Sequence, residues 1–139
     1  MTLGIGELSE RTEVKVPTIR YYEQIGLLAA PPRTGGRQRR YAPADVRTLN
    51  FIRHARELGF DIEDIRQLLA LAATPQESCH RADSIARRHL DEITRRIGQL
   101  DALRGELQRM VDVCGHGKVC ECKIVEIIGD HTLCAHDAH

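Results

Sequence analysis

Four of the five cysteines in this chain, Cys114, Cys120, Cys122 and Cys134, fall after a long helical stretch, and Cys79 stands just before it. Cys114-Gly115-His116-Gly117-Lys118-Val119-Cys120-Glu121-Cys122 places three thiols and an imidazole within nine residues. Its glycines let such a loop wrap around an ion. Thiolates favour Zn(II), Cd(II), Hg(II), Pb(II) and Cu(I) over hard cations. His116 and Cys120 can complete the tetrahedron that Zn(II) prefers. His131, Cys134 and His136 form a second cluster in the tail, able to hold another ion beside the first.

The segment between Cys79 and Cys114 contains no proline and carries an apolar repeat. As one helix it spans roughly 50 Å at ~1.5 Å per residue, so the two cysteines cannot meet within one chain. Two such helices paired antiparallel bring Cys79 of one subunit beside Cys114 of the other. The thiols then make a metal or redox site that exists only in a dimer.

A second chemistry is written in charge. No acid occurs between Glu23 and Asp45, whereas Arg33, Arg37, Arg39 and Arg40 do, with Tyr41 beside them. A local basic patch is the footprint of a phosphate-binding surface. Lysine plus arginine equals aspartate plus glutamate over the 139 residues, so net charge alone indicates no partner.

The elements that must position these groups are read from periodicity and punctuation. A short helix opens at Ile5–Leu8. Val16 to Tyr22 form a second, with Pro17 in its first turn, ending near Gly26. Two short helices joined by a tight turn are a helix-turn-helix. Pro31-Pro32-Arg33-Thr34-Gly35-Gly36 breaks structure, and Arg39-Arg40-Tyr41 reads as the returning strand of a small hairpin, a wing. Ala44 to Leu58 make a third helix with Val46, Leu49, Phe51, Ile52 and Ala55 on its apolar face, stopped by Gly59. Asp61 caps a fourth through Leu71. Thr74-Pro75-Gln76-Glu77 has the form of a capping box opening the long helix. That helix carries Ala86, Leu90, Ile93, Ile97, Leu100, Leu103, Leu107 and Met110, spaced as a coiled-coil seam with one irregularity. Ile124 to Ile128 form a short helix or strand.

The expected architecture is mainly α: a winged helix-turn-helix DNA-binding domain over 1–74, an antiparallel coiled-coil dimerisation helix over 75–112, and a metal-binding loop with a His/Cys tail over 113–139. Scarce aromatics, with no Trp, suit such a core. The N-terminus is too polar for a signal peptide, and no apolar run approaches the ~20 residues of a membrane span. A cytoplasmic location follows, where thiols stay reduced and clustered cysteines point to metal or redox chemistry rather than disulfides. No nucleophile–base constellation of an enzyme is present.

Ile5-Gly6-Glu7-Leu8, Thr18-Ile19-Arg20-Tyr21-Tyr22-Glu23, Gly26-Leu27-Leu28, Arg33 and Tyr41, Phe51-Ile52, Leu58-Gly59 and Ile62 with Ile65 together resemble the MerR family of bacterial transcription regulators. The resemblance spans essentially the whole chain. It implies a homodimer on a palindromic promoter with an overlong spacer. The activated dimer bends and untwists this DNA for the RNA polymerase holoenzyme. It places Arg20 and Tyr21 in the major groove, with Lys15 and Thr18 at the helix start, and gives the wing's Arg33, Arg37, Arg39, Arg40 and Tyr41 to phosphates. Arginine can bind guanine edges bidentately; Thr, Tyr and Lys mostly hold phosphates. The family's usual wing tyrosine is replaced here by Gln38, and Arg37 adds a charge.

Among metal sensors of that family the first and last loop cysteines hold the ion, which implies Cys114 and Cys122. Their spacing equals that of copper(I) sensors, but those carry Ser where this chain has Cys79. Zinc, cadmium, lead and mercury sensors carry Cys there, contributed by the partner subunit. The resemblance is therefore to the divalent branch, with Zn(II) the first choice and Cd(II), Pb(II) or Hg(II) the others. An iron–sulfur redox sensor is the other alternative, although its tight Cys-X2-Cys-X-Cys pattern is absent.

Overall fold

The computed structural model of the chain describes residues 2–31, 40–114, 117 and 122–130. Among these the protein is mainly helical, with α1 Ile5–Thr12, α2 Val16–Gln24, α3 Pro43–Glu57, α4 Ile62–Ala72, α5 His80–Asp112 and α6 Lys123–Gly129. The chain divides into two compact units, 1–85 and 86–139, so packing of the first unit extends past residue 74 into the opening turns of α5.

In the first unit local signals set the helix ends. The turn between α1 and α2 puts Glu13 in the left-handed region at φ 57°, a conformation that crowds a Cβ and suits glycine better. Thr12 is buried there and donates from its hydroxyl to the Leu8 carbonyl at 2.8 Å. Gly26, at φ 77°, turns the chain out of α2 while the Leu27 N–H reaches back to the Tyr22 carbonyl at 2.9 Å. Gly59, at φ 90°, does the same after α3, with the Phe60 N–H on the Ala55 carbonyl at 3.1 Å. These are the six-to-one bonds of a Schellman ending. The N-terminus of α3 is closed by Asp45, whose carboxylate accepts from the Ala42 N–H at 2.8 Å. Asp61 caps α4 by accepting from the Asp64 N–H at 2.8 Å.

α1 packs on α2 and α3, and α3 on α4. Leu8, Val14, Ile19, Tyr22, Leu27, Leu28, Tyr41, Leu49, Ile52, Ala55 and Ile65 form the core of this unit. Phe51 departs from its expected place. It is 36% exposed, because Leu49, Ile52 and Ala55 define the stripe that α3 buries and Phe51 lies about 100° around the helix from Ile52. Arg66 donates to the Ile25 carbonyl at 2.9 Å and ties α4 to the end of α2.

The hairpin expected over 32–39 lies outside the described residues. At its root, Tyr41 pairs with Leu3 in an antiparallel bridge, with N···O distances of 2.8 Å in both directions. A second correction concerns the start of the long helix. Thr74–Glu77 closes as a free-standing turn, with the Thr74 hydroxyl on the Glu77 carboxylate at 2.7 Å. α5 begins only at His80, and its first helical bond runs from the Asp83 N–H to the Cys79 carbonyl at 2.9 Å. The box is satisfied within the turn and does not carry the helix.

In the second unit Met110, Ile127 and Glu106 are buried, and Glu106 accepts from Arg109 at 3.1 Å. Residues 123–129, left between helix and strand by sequence, are the helix α6. In the single chain Leu90, Ile93, Ile97, Leu100 and Leu107 of α5 are exposed.

Candidate DNA interface and metal centre

α2 turns Ile19 and Tyr22 into the core and leaves Lys15, Arg20 and Tyr21 exposed, with Thr18 half-buried. Tyr21 is 50% exposed. Lys15 occupies the N-cap and the first turn of α2 carries no acid, so the positive end of the helix and a lysine lie together. Among the described residues Arg20 has no hydrogen-bond or ion-pair partner. Its guanidinium is therefore available as a fork.

Lys15 and Thr18 border a shallow depression of about 400 Å³ whose other walls include Arg53 and Arg56 of α3. These two cations were not singled out from sequence, although their i,i+3 spacing puts them on one face of the helix. Arg53 pairs with Glu13 at 3.0 Å and lies 3.5 Å from Glu57. Arg56 donates to the Phe60 carbonyl at 3.1 Å.

The wing residues fare differently. Arg33, Arg37 and Arg39 lie outside the described residues. Arg40 is half-buried and its guanidinium donates to the Thr2 hydroxyl at 3.1 Å and the Thr2 carbonyl at 3.0 Å. Tyr41, expected at a phosphate, is fully buried, and its hydroxyl donates to the Glu23 carboxylate. The Leu3 bridge pulls it inward, so it serves the core and the last turn of α2 rather than a phosphate. Changing Tyr41 to Phe should cost about 1–3 kcal/mol of unfolding free energy, because a part-buried carboxylate loses its donor. Urea unfolding of the variant checks this; an unchanged midpoint refutes the bond.

The cysteines sit at helix ends. Cys79 is exposed at the start of α5. Cys114 follows α5, its N–H on the Val111 carbonyl at 3.2 Å, and Cys122 is the N-cap of α6. Cys114 and Cys122 are free thiols of intermediate exposure. The Val125 N–H holds the Cys122 thiol below its usual range; burial opposes this, and the Ile124 N–H and the Cys114 side chain add to it. Donors aimed at a sulfur stabilise its thiolate, the form that binds metal. His116, Cys120, His131, Cys134 and His136 lie outside the described residues. Among the described residues no three potential ligands gather in one chain. Two free, partly exposed soft donors in one unit suit a thiophilic ion and leave its remaining positions to be filled from elsewhere.

Residues 3–72 match the profile described as MerR HTH family regulatory protein, and residues 46–110 match that described as MerR, DNA binding. The HTH-type transcriptional regulator ZntR of Escherichia coli K12 is 40% identical over 128 residues, covering 89% of this chain and 90% of that protein. HmrR of Rhizobium leguminosarum bv. viciae, also an HTH-type transcriptional regulator, is 41% identical, with 92% and 98% covered. Among solved structures, the transcription regulator PbrR691 from Ralstonia metallidurans CH34, in complex with lead(II), superposes with a TM-score of 0.80 at 32% identity, covering 91% of this chain and 98% of that one. With matches of this extent laid over a helix-turn-helix unit, the chain belongs to the MerR family of helix-turn-helix transcription regulators.

Proposed function

We propose that the protein is a cytoplasmic metal-sensing regulator that binds a palindromic promoter as a homodimer and activates transcription by distorting the DNA when a divalent soft metal is bound, Zn(II) being the first choice. The observation that carries this reading is a pair of free, partly exposed thiols at the edges of the loop, Cys114 and Cys122, the second held below its usual range by the Val125 N–H. The likeness to a lead-bound regulator supports it. Cys114 and Cys122 would hold the ion, with Cys79 of the partner subunit as the third thiol and His116 or Cys120 completing the set. His131, Cys134 and His136 are the candidates for a second ion. The metal supplies positive charge that ties these segments together.

The dimer is assigned to α5. It is 33 residues long, about 50 Å, and its uncovered Leu90, Ile93, Ile97, Leu100 and Leu107 require a partner surface. Antiparallel pairing of two copies brings Cys79 to the other copy's Cys114. Leu100→Glu should convert the dimer to monomer, since each helix would then bury an unpaired carboxylate in the partner's apolar seam, at a cost of several kcal/mol. Sedimentation velocity at micromolar concentration reads the outcome; a persistent dimer removes α5 from the interface.

DNA reading is assigned to Arg20 and Tyr21 in the major groove, with Lys15 and Thr18 on phosphates. The wing residues Arg33, Arg37, Arg39 and Arg40 extend the grip, and Arg53 and Arg56 widen the cationic face. The loaded dimer would bend and untwist the promoter for the RNA polymerase holoenzyme. Such distortion costs roughly 1–6 kcal/mol by elastic estimates, a size that ligand binding can offset.

The shared site has a direct test in mixed dimers. With Cys79→Ser in one subunit and Cys114→Ser in the other, one site keeps every cysteine and its twin loses two. With both changes in the same subunit, each site loses one. The first heterodimer should bind one divalent ion per dimer at full affinity and the second none at that affinity. Identical titrations of the two sink the cross-chain arrangement.

The reading as a whole is tested by transcription in vitro from the cognate promoter across a metal series. Zn(II), Cd(II) or Pb(II) should induce at lower free concentration than Cu(I). Induction by Cu(I) alone would reassign the protein to copper, and no induction by any metal overturns the sensing function.

A further inference from the structure

A left-handed glutamate and a loosely held guanidinium meet at the depression beside α2. Among the described residues Glu13 is the only one other than glycine with a positive φ, 57°. It closes α1 in a conformation where a Cβ is crowded and glycine fits better. Its carboxylate lies 3.0 Å from Arg53 Nη1, and the Glu57 carboxylate lies 3.5 Å from the same nitrogen. Two acids thus share one nitrogen, while Arg53 Nε is buried with no acceptor among the described residues. This is a one-point contact, not the two-point fork in which a guanidinium binds an oxyanion best. The Glu13 side chain is 76% exposed, so the pair is weak and open to exchange.

The same groups line the depression together with Lys15, Thr18 and Arg56. Three cations there face two carboxylates. Acids on a phosphate-facing surface oppose the ligand twice: each repels it, and each holds a cation that the phosphate must win away.

We propose that Glu13, helped by Glu57, is a brake on DNA binding. It keeps Arg53 in an internal ion pair that a backbone phosphate must displace, so the protein holds every duplex less tightly than its cations would allow. The proposal rests on the reading of α2 as the DNA-facing helix. On binding, Arg53 exchanges the carboxylate for phosphate oxygens, and the released Glu13 takes up a cation from solution. The exchange therefore frees fewer counter-ions than an unpaired arginine would. Phosphate contacts carry no sequence information. The brake accordingly lowers operator and non-operator affinity by the same factor, sparing discrimination while shortening the time spent on wrong sites.

The test uses the full chain with Glu13→Gln and Glu13→Gly, and Glu13→Gln again in an Arg53→Ala background. Fluorescence anisotropy on operator and scrambled duplexes across a salt series gives affinities and slopes. Both single variants should tighten both duplexes by about 2- to 30-fold, the range set by one exposed ion pair in each of two subunits. The ratio of operator to scrambled affinity should stay the same. The slope of log affinity against log salt should steepen by about one to two for the dimer, one counter-ion per freed arginine. With Arg53→Ala in place Glu13→Gln should gain far less, because no guanidinium is left to free. Glycine also relaxes the left-handed turn, so equal gains from glutamine and glycine assign the effect to charge. A gain confined to Glu13→Gly, tightening on the operator alone, or an undiminished gain beside Arg53→Ala overturns the brake. Salt-dependent DNA binding by the unaltered protein with no gain in Glu13→Gln defeats the brake and leaves the DNA reading standing. If the unaltered protein binds neither duplex, the two fall together.

Discussion

Replacing Arg20 by alanine should abolish preference for the operator while leaving the fold intact. The side chain projects from α2 with no intramolecular partner among the described residues, so its removal breaks no internal contact there. A bidentate arginine–guanine pair is worth roughly 1–3 kcal/mol. A twofold dimer makes that contact in both half-sites, so the loss is about 2–6 kcal/mol in operator binding. Binding to scrambled DNA, which rests on phosphate contacts, should fall far less, and the salt dependence should keep its slope. Fluorescence anisotropy on operator and scrambled duplexes across a salt series separates the two terms. If operator and scrambled affinities fall together, Arg20 is a phosphate contact and base reading lies elsewhere.

Changing Cys122 to Ser should remove metal induction and leave operator affinity unchanged. Cys122 belongs to the second unit, whereas Arg20 and the rest of α2 belong to the first. The serine hydroxyl is close to the thiol in size, so α6 keeps its start, but a neutral hydroxyl is a poor ligand for a soft ion. Loss of a direct ligand should cost more than the roughly 10–100-fold that follows loss of a supporting outer group. Competition titration with a chromophoric zinc chelator reads the affinity, and transcription across the metal series reads the response. Full activation of the variant at the metal concentration that activates the unaltered protein would exclude this thiol from the sensor.

The parts of the fold that were legible in the sequence are those set by neighbours in the chain. Pro17, Gly26, Gly59 and Asp61 act within a turn of where they stand: α2 opens with Pro17 in its first turn and ends before Gly26, α3 ends before Gly59, and α4 opens after Asp61. The same local signal misled at Thr74–Glu77, where hydroxyl and carboxylate satisfied each other and the helix waited until His80. Tyr41 was misread for the opposite reason. A tyrosine beside arginines looks like a surface residue, and only its pairing with Leu3, far back in the chain, explains its burial. Phe51 shows that an apolar residue near the right period need not lie on the buried stripe. At the candidate metal centre the cysteine pattern named candidate donors, of which Cys79, Cys114 and Cys122 are free thiols among the described residues. That the Val125 and Ile124 N–H groups hold the Cys122 thiol down is a property of how α6 begins, and no spacing rule supplies it.

The placement of the aromatic rings has a spectroscopic consequence. The chain has no tryptophan, and its three tyrosines, Tyr21, Tyr22 and Tyr41, all belong to the first unit, with Tyr21 the most open to solvent. No intrinsic fluorophore accompanies Cys114 and Cys122. Ion binding at those sulfurs would be seen directly through thiolate-to-metal absorption, to which no tryptophan and no tyrosine of the same unit adds a background. Any change in tyrosine emission on adding metal to the DNA-free protein would report on the first unit. The unmodified protein thus carries a separate label-free signal for each of its two units.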